Sequence, residues 1–392
     1  MNYIWQHKHW PKFSYDSSKL SALAYHYAKQ AAQLSGSLAH TDLDDSIAAQ
    51  LDLMVDEAIN TSLIEGESLN PASVRSSLQN YLNLTPNPIN VADVKAEGMA
   101  ALLVDVRKHF NKPLSKEMLF NWHRMVLAGF EDNILHNELT VGQWRDSPEP
   151  MQIVSGPVGY ERVHYEAPPA QNLEAFMAEF LNWFNNQDSH QDNQEDNQPI
   201  PGVIRAGIAH LWFEVIHPFD DGNGRIGRAI IEYALAQDLG MPVVLSMSTH
   251  IEKNKKEYYR QLNAASCCDR SELDDPAVLD ITVWLSWFIH TLIAAQQEAA
   301  EKVSTIFEKT DFWQRHKNTA LSERQKAVIN KVFKAGKEGF PNGISAQKYA
   351  ALGKCSKATA TRDLGDLVAK NCVRSEGVGR GLRYFIALSP AP

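Results

Sequence analysis

Along most of the chain, apolar positions recur every three to four residues. In "DDSIAAQLDLMVDEAINTSLIEGE", Ile47, Leu51, Met54, Val55, Ala58 and Ser62 keep this spacing, which puts them on one face of a helix that Gly66 is suited to stop. Residues 17–65 therefore read as a helical hairpin whose second helix ends near Glu65. Similar periods run through "VADVKAEGMAALLVDVRKHF", "SKEMLFNWHRMVLAG", 172–184, 201–216, 224–239 and 279–309. In 201–216 the positions Ile204, Ile208, Leu211, Trp212 and Val215 give a helical signature and not a strand's.

Two stretches break this texture. Val141 to Pro169 is rich in Gly and Pro, with short alternating runs, "MQIVS" and "ERVHYE", around "GPVG"; it predicts a β-hairpin projecting from a helical body. At 185–199, "NNQDSHQDNQEDNQP" is polar and of low complexity, and reads as a surface loop. After about residue 321, three helical segments and a Gly-tipped alternating run follow one another, the order of a winged helix with Ser356 to Ala369 as recognition helix.

Composition adds limits. Of 392 residues, 44% are hydrophobic and 22% charged, which argues for packed domains and against general disorder. Net charge is −9, but 13 basic and 5 acidic residues from Leu321 onward give +8 there and leave −17 for the rest, so two parts with different partners are expected. Cys267, Cys268, Cys355 and Cys372 form no C-x-x-C pair, and a reducing cytoplasm is the expected location. The opening "MNYIWQHKHWPKF" lacks a signal peptide's apolar core, and Ile281 to Ala295 is interrupted by Thr282, Ser286, His290 and Thr291; no membrane span is expected.

The chemistry concentrates in "HPFDDGNGRIGR", His217 to Arg228. Gly222, Gly224 and Gly227 spell the G-x-G-x-x-G of a dinucleotide-binding turn, but that turn follows a strand directly, and here a helical segment precedes it. The amides of Gly222, Asn223 and Gly224 at a helix amino terminus can form an anion hole. Arg225 and Arg228, spaced i,i+3, oppose the helix dipole unless an anion binds there. Asp221 offers a hard oxygen for Mg²⁺, and His217 is the group suited to be a general base. A capping histidine and a plain turn would explain each piece separately, though not the set.

At every defined position this stretch resembles the active-site motif of the Fic-domain family, H-P-F-x-[D/E]-G-N-G-R-x-x-R. The resemblance implies a mainly α protein, an all-helical Fic fold with a β-hairpin flap, that moves AMP from ATP to a hydroxyl side chain (Ser, Thr or Tyr) of a target protein and releases pyrophosphate. It implies His217 as the base, Asp221 as the Mg²⁺ or Mn²⁺ ligand, Asn223 and its neighbouring amides on the α-phosphate, and Arg225 and Arg228 on the outer phosphates. "TSLIEG", Thr61 to Gly66, resembles the family's inhibitory motif, which implies that Glu65 pairs with Arg228 and blocks productive ATP binding.

The hairpin resembles the family's flap, with Ile153, Val154, Ser155 and Gly156 as target contacts; a plain hairpin is the competing reading. "NKKEYYRQL" resembles the segment that contacts adenine, making Tyr258 and Tyr259 candidates, with core aromatics as the alternative. The opening "IWQHKHWPKF" is similar to an amino-terminal region of a subset of members. The resemblance spans about residues 1–310, in two expected parts, a helical region carrying the inhibitory helix (1–110) and the catalytic domain (111–310), and a linker (311–322) is expected to follow. The winged helix (323–392) resembles its class only in pattern, with Lys354, Lys357, Thr359, Thr361, Arg362, Arg380 and Arg383 as candidate DNA contacts and protein binding as the alternative.

The expected partners are a target protein, the chain itself included, DNA or a protein at the winged helix, and a second copy of the chain. Two other functions stay open: the same site removing AMP or transferring another phosphate-containing group, and a DNA-binding regulator whose helical domain senses nucleotide.

Overall fold

The structure is a computed structural model that describes residues 2–39, 41–130, 139–155, 160, 162–186, 200–269 and 272–388. It is mainly helical and divides into two compact units. The first comprises residues 1–40 and 50–299, the second residues 41–49 and 300–392.

The first unit is built around α7 (Gly202–Ile216) and α8 (Asn223–Leu239). Every residue of α7 is buried, as its near-continuous apolar sequence requires: a helix apolar all round must be surrounded. Trp284 and Leu285 of α11 (Thr282–Arg315) press against it at Gly207, where Trp284 Nε1 donates to the Gly207 carbonyl at 2.9 Å and a Cβ would meet Leu285 at 2.7 Å. Around the pair stand α1 (Ser17–Ala39), the part of α2 (Leu43–Ile64) from Gln50 onward, α3 (Pro71–Tyr81), α4 (Val94–His109), α5 (Lys116–Val126) and α6 (Leu173–Asn185). Short helices α9 (Met247–Lys253) and α10 (Lys255–Ser266) follow α8. Caps set several boundaries: Asn70 accepts from the Ala72 and Ser73 amides with Pro71 at the first helical position, and Ser115 accepts from Met118 N.

The end of α2 is a Schellman turn. The Glu67 amide donates to the Ser62 carbonyl and the Gly66 amide to Leu63, both at 2.9 Å, with Gly66 at φ +83°. Only glycine adopts that conformation freely, so Gly66 is the expected stop, and it fixes the directions of Glu65 and Glu67 on either side.

Strands β2 (Gln152–Ser155) and β3 (Arg162–Glu166) form the expected antiparallel hairpin, with a register irregularity between Ile153 and Val154. Its tip, including Gly156, and residues 187–199 of the polar insertion lie outside the described residues. A short ribbon pairs β1 (Asn2–Tyr3) with β4 (Cys267–Cys268). Several elements depart from the sequence reading, the α9–α10 helices and the β1–β4 ribbon among them. Helix α3 went unrecognised because its apolar face is short (Val74, Leu78), and α11 continues to Arg315 through the start of the segment expected to be a linker.

In the second unit, α12 (Glu323–Gly339), α13 (Ala346–Gly353) and α14 (Lys357–Ala369) precede the antiparallel pair β5 (Val373–Glu376) and β6 (Arg383–Ile386). Phe312, Ile329, Tyr349, Leu364, Leu367 and Tyr384 form its core. Buried Asp363 is held by Arg324 at 2.7 and 3.0 Å and by the Tyr349 hydroxyl at 3.1 Å. This is the expected order of three helices and a hairpin.

Candidate functional site

Two left-handed residues make the junction between α7 and α8. His217 ends α7 at φ 48°, and Gly222 precedes α8 at φ 83°. For histidine that conformation is costly, and the surroundings hold it. Arg145 Nε donates to the His217 carbonyl (2.8 Å), Nη2 to that of Pro168 (2.6 Å), and the Arg145 amide to Pro218 (2.9 Å). From the other side Asn223 Nδ2 donates to the Phe219 carbonyl (2.7 Å) while its Oδ1 accepts the Phe219 amide (3.0 Å). The Asn223 side chain thus braces the loop, its four-residue spacing from Phe219 letting both amide atoms clamp that backbone, with one further donor and acceptor site on the amide still to spare.

His123 supports the loop from below. Its ring stacks on Phe219 with centroids 4.0 Å apart, Nδ1 accepts the Gly142 amide (2.9 Å), and Nε2 lies 3.1 Å from the Asp221 carbonyl. Accepting at one nitrogen and donating at the other requires the neutral ring, and burial pushes its pKa down to about 4.

His217 is brought to the same state by burial and by the Arg145 charge, which push its pKa down to about 4. It is therefore neutral at physiological pH and able to accept a proton. Its Nδ1 faces Glu214 Oε2 at 3.9 Å. Burial raises Glu214 to about 8 against the pull of Arg228, and lowers His210 to about 3.

Both motif arginines are buried and already paired. Arg228 Nε donates to Thr61 Oγ1 (2.7 Å), and Nη2 to the Thr61 carbonyl (2.9 Å) and to Glu65 Oε1 (2.7 Å). Burial opposes its charge, yet the Glu65 carboxylate beside it holds its pKa above the ordinary arginine value. Arg225 Nη1 donates to Glu67 Oε2 (2.8 Å) and Nη2 approaches Asp221 Oδ1 (3.4 Å). The arginines therefore do not converge on one open spot in this state; each is covered by a carboxylate from the end of α2.

Glu65 lies against the first turn of α8, whose amides have no partners within the helix. A Cβ on Gly224 would stand 2.3 Å from Glu65 Oε1, so glycine is required for this close approach. Gly227 has a packing role that the sequence did not reveal: a Cβ there would lie 2.3 Å from Glu214 Oε1. Unpartnered buried atoms gather at this place, among them Glu214 Oε1, Arg225 Nε and Arg228 Nη1. Such atoms are rare unless a ligand or solvent completes them.

Beside them is a cavity of about 480 Å³ between the hairpin and α10, lined in part by Ile153, His164, Tyr165, Glu214, Tyr259 and Asn263. It is large enough for a small organic ligand. The Tyr165 hydroxyl donates to the Val215 carbonyl (2.6 Å), tying β3 to α7 two residues before His217. Tyr259 is 41% exposed and lines the cavity, whereas Tyr258 is buried, 3.0 Å from His210 Nε2. Tyr258 is therefore packed as a core aromatic, the alternative reading of this pair, because the α10 period turns it inward. Ile153 and Val154 are exposed on β2, and Ser155 ends that strand opposite Arg162.

Asp221 is 45% exposed, and its carboxylate accepts the Gly222 amide. Among the described residues no group of three or more His, Cys, Asp or Glu is placed to hold a metal ion. One exposed carboxylate next to an anion hole suits Mg²⁺, which keeps several waters and takes phosphate oxygens as ligands.

In the second unit Lys354, Lys357, Thr361 and Arg362 are exposed, while Thr359 Oγ1 is 2.9 Å from Ser356 Oγ at the α14 cap. Arg383 Nη1 donates to the Leu382 carbonyl (2.9 Å), and the Arg380 side chain lies outside the described residues. The sequence reading missed Glu67, Arg145, His123 and Glu214. Only the first and last carried a signal, Glu67 as a carboxylate flanking the helix stop and Glu214 as one turn before His217.

Residues 113–235 match the Fic/DOC family, and residues 3–84 match a domain of unknown function, DUF4172. The protein adenylyltransferase fic-1 of Caenorhabditis elegans is 35% identical over 93 residues, covering 24% of this chain and 16% of that protein. A probable protein adenylyltransferase, aq_aa38, of Aquifex aeolicus is 29% identical over 101 residues, 26% of each chain. Each alignment thus spans far less than two thirds of the relative's length. Among solved structures, a Fic family protein from Desulfovibrio desulfuricans G20 superposes with TM-score 0.50 at 18% identity, over 93% of this chain and 95% of that one. A Fic domain containing signaling protein from Bacteroides thetaiotaomicron gives 0.52 at 19%, over 71% and 97%. At these identities the likeness is one of fold, and it is the family match over residues 113–235, which contain the His217–Arg228 loop, that marks this part of the chain as a Fic/DOC-family domain.

Proposed function

We propose that the chain is a protein adenylyltransferase held inactive by its own Glu65. The observation that carries this reading is the place of Glu65, an internal carboxylate lying against the α8 amino terminus and on Arg228, where an anionic ligand would sit. Supporting it are the neutral, partly buried His217 in the same loop and the adjoining cavity for a nucleoside.

In this mechanism the α8 amides and the two arginines bind the triphosphate once the carboxylates withdraw. Tyr259 and Ile153 border the nucleoside, and the exposed β2 edge adds a strand of the target protein by main-chain pairing. His217 takes the proton of the target's Ser, Thr or Tyr hydroxyl. That oxygen bonds the α-phosphorus, the bond to the β-phosphate oxygen breaks, and pyrophosphate leaves. Asp221 would hold Mg²⁺, which when bound supplies charge neutralisation for the phosphates. Incubation of the Glu65→Gly protein with ATP and cell extract should add the mass of one AMP moiety to a target protein or to the chain itself. Addition of a bare phosphate, or of nothing, would refute the assignment.

Gly224 gives a second check. A methyl at this position points where Glu65 now sits and where a phosphate would replace it. In a Glu65→Gly background, Gly224→Ala is expected to weaken ATP binding at least about tenfold, the effect of one lost charge-assisted contact. Calorimetric titration measures it, and an unchanged Kd would show that no phosphate lies against Gly224.

For the second unit we propose duplex DNA binding through α14. Lys357, Thr361 and Arg362 are exposed at helical spacing on the recognition element of a winged-helix order, in the part of the chain with charge +8. Lys357→Glu with Arg362→Glu should abolish salt-sensitive retention of the full chain on duplex DNA; equal retention would refute this surface. Among the described residues no helix is long and apolar enough to cross a membrane.

A further inference from the structure

We propose that Glu67 is a second competitor for the phosphate site, covering Arg225 as Glu65 covers Arg228, so that both carboxylates leave when the triphosphate enters. This rests on the nucleotide reading above and supplies another part of its regulation.

The geometry separates the two contacts cleanly. Glu67 Oε2 receives Arg225 Nη1 at 2.8 Å, and the Arg225 side chain is only 3% exposed. Glu65 Oε1 receives Arg228 Nη2 at 2.7 Å, with Arg228 at 2%. These are charge-assisted bonds away from water, unlike the exposed ion pairs that contribute little. Each guanidinium also keeps one buried nitrogen without a partner, Arg225 Nε and Arg228 Nη1. A ligand with more oxygens than a carboxylate would satisfy them.

The charges match the exchange. Two glutamates carry two negative charges, and a triphosphate with one bound Mg²⁺ also carries about two. Replacing one by the other leaves the buried arginines neutralised, whereas withdrawing Glu65 alone leaves the Arg225 half of the site still filled. The Schellman turn couples the two carboxylates, because Gly66 at φ +83° separates them by one residue and sets both directions. Glu67 also has a place to go. Its Oε1 is held by Lys95 Nζ on α4, which is 41% exposed and can follow it, so leaving Arg225 does not strand the charge.

The test is calorimetric titration of the full chain with Mg²⁺–ATP, using the parent, Glu67→Gln, Glu65→Gly and the double variant. Glu67→Gln keeps the side-chain size and removes the charge. It should tighten ATP binding about three- to tenfold in the parent, and again over Glu65→Gly alone, as expected for one removed charge-assisted competitor. Unchanged affinity in both backgrounds, or weaker binding, would overturn the proposal.

Lys95→Met provides an independent arm with the opposite sign. Without Lys95, Glu67 rests wholly on Arg225, so ATP binding should weaken about two- to threefold, and this effect should vanish in Glu67→Gln. An equal effect in both backgrounds would contradict the mechanism. Binding without AMP transfer in any variant would refute adenylylation while leaving this competition standing. Absence of binding even in Glu65→Gly would refute both.

Discussion

Replacement of His217 by alanine is expected to reduce AMP incorporation by at least about a thousandfold, within the range for removal of a positioned general base. No other group in the loop can take its place. Asp221 is half-exposed and engaged with the Gly222 amide and Arg225, Glu214 is a protonated acid at neutral pH because burial raises it to about 8, and His123 has both ring nitrogens in use. Because His217 ordinarily titrates near 6.5 but is lowered to about 4, it is deprotonated over all of the physiological range. The acid limb of the rate profile should therefore fall near 4 and not near 6.5. Nucleotide binding by the alanine variant should persist, since His217 holds no phosphate in the proposed mechanism. Undiminished incorporation, measured with labelled ATP, would remove His217 from the reaction.

Glu65→Gly should act in the other direction, raising AMP incorporation at least about tenfold by exposing Arg228. It should also lower the stability of the nucleotide-free protein, by about 1–3 kcal/mol, because a buried arginine donor loses its partner; Thr61 still accepts from the guanidinium, which limits the loss. A variant that is less stable yet more active is the signature of a regulatory contact. Thermal melting with and without ATP reads both effects, and ATP should restore the lost stability. Equal labelling by parent and variant would show that Glu65 does not control the site.

Much of this was legible in the sequence because the informative residues are close together along the chain. The loop from His217 to Arg228 carries its histidine, carboxylate, glycines and arginines within twelve residues, and the periodicity of 201–216 told a helix from the strand of a dinucleotide turn. Gly66 marked a helix end because a left-handed residue is needed there.

What remained hidden depends on contacts between distant segments. Arg145 holds His217 across 72 residues and Glu67 meets Arg225 across 158; neither has a local pattern. Tyr258 and Tyr259 are adjacent, and only packing decides that the first faces His210 and the second the cavity. Asn223 reads as a phosphate ligand by its company, and nothing in that company shows that its side chain also clamps the Phe219 backbone.

The central claim concerns which phosphorus is attacked, and ATP labelled separately at the α- and γ-positions tests it most directly. With the Glu65→Gly protein and cell extract, α-label should become covalently attached to protein while γ-label is released in pyrophosphate. Retention of γ-label on protein, or of neither label, would contradict adenylyl transfer.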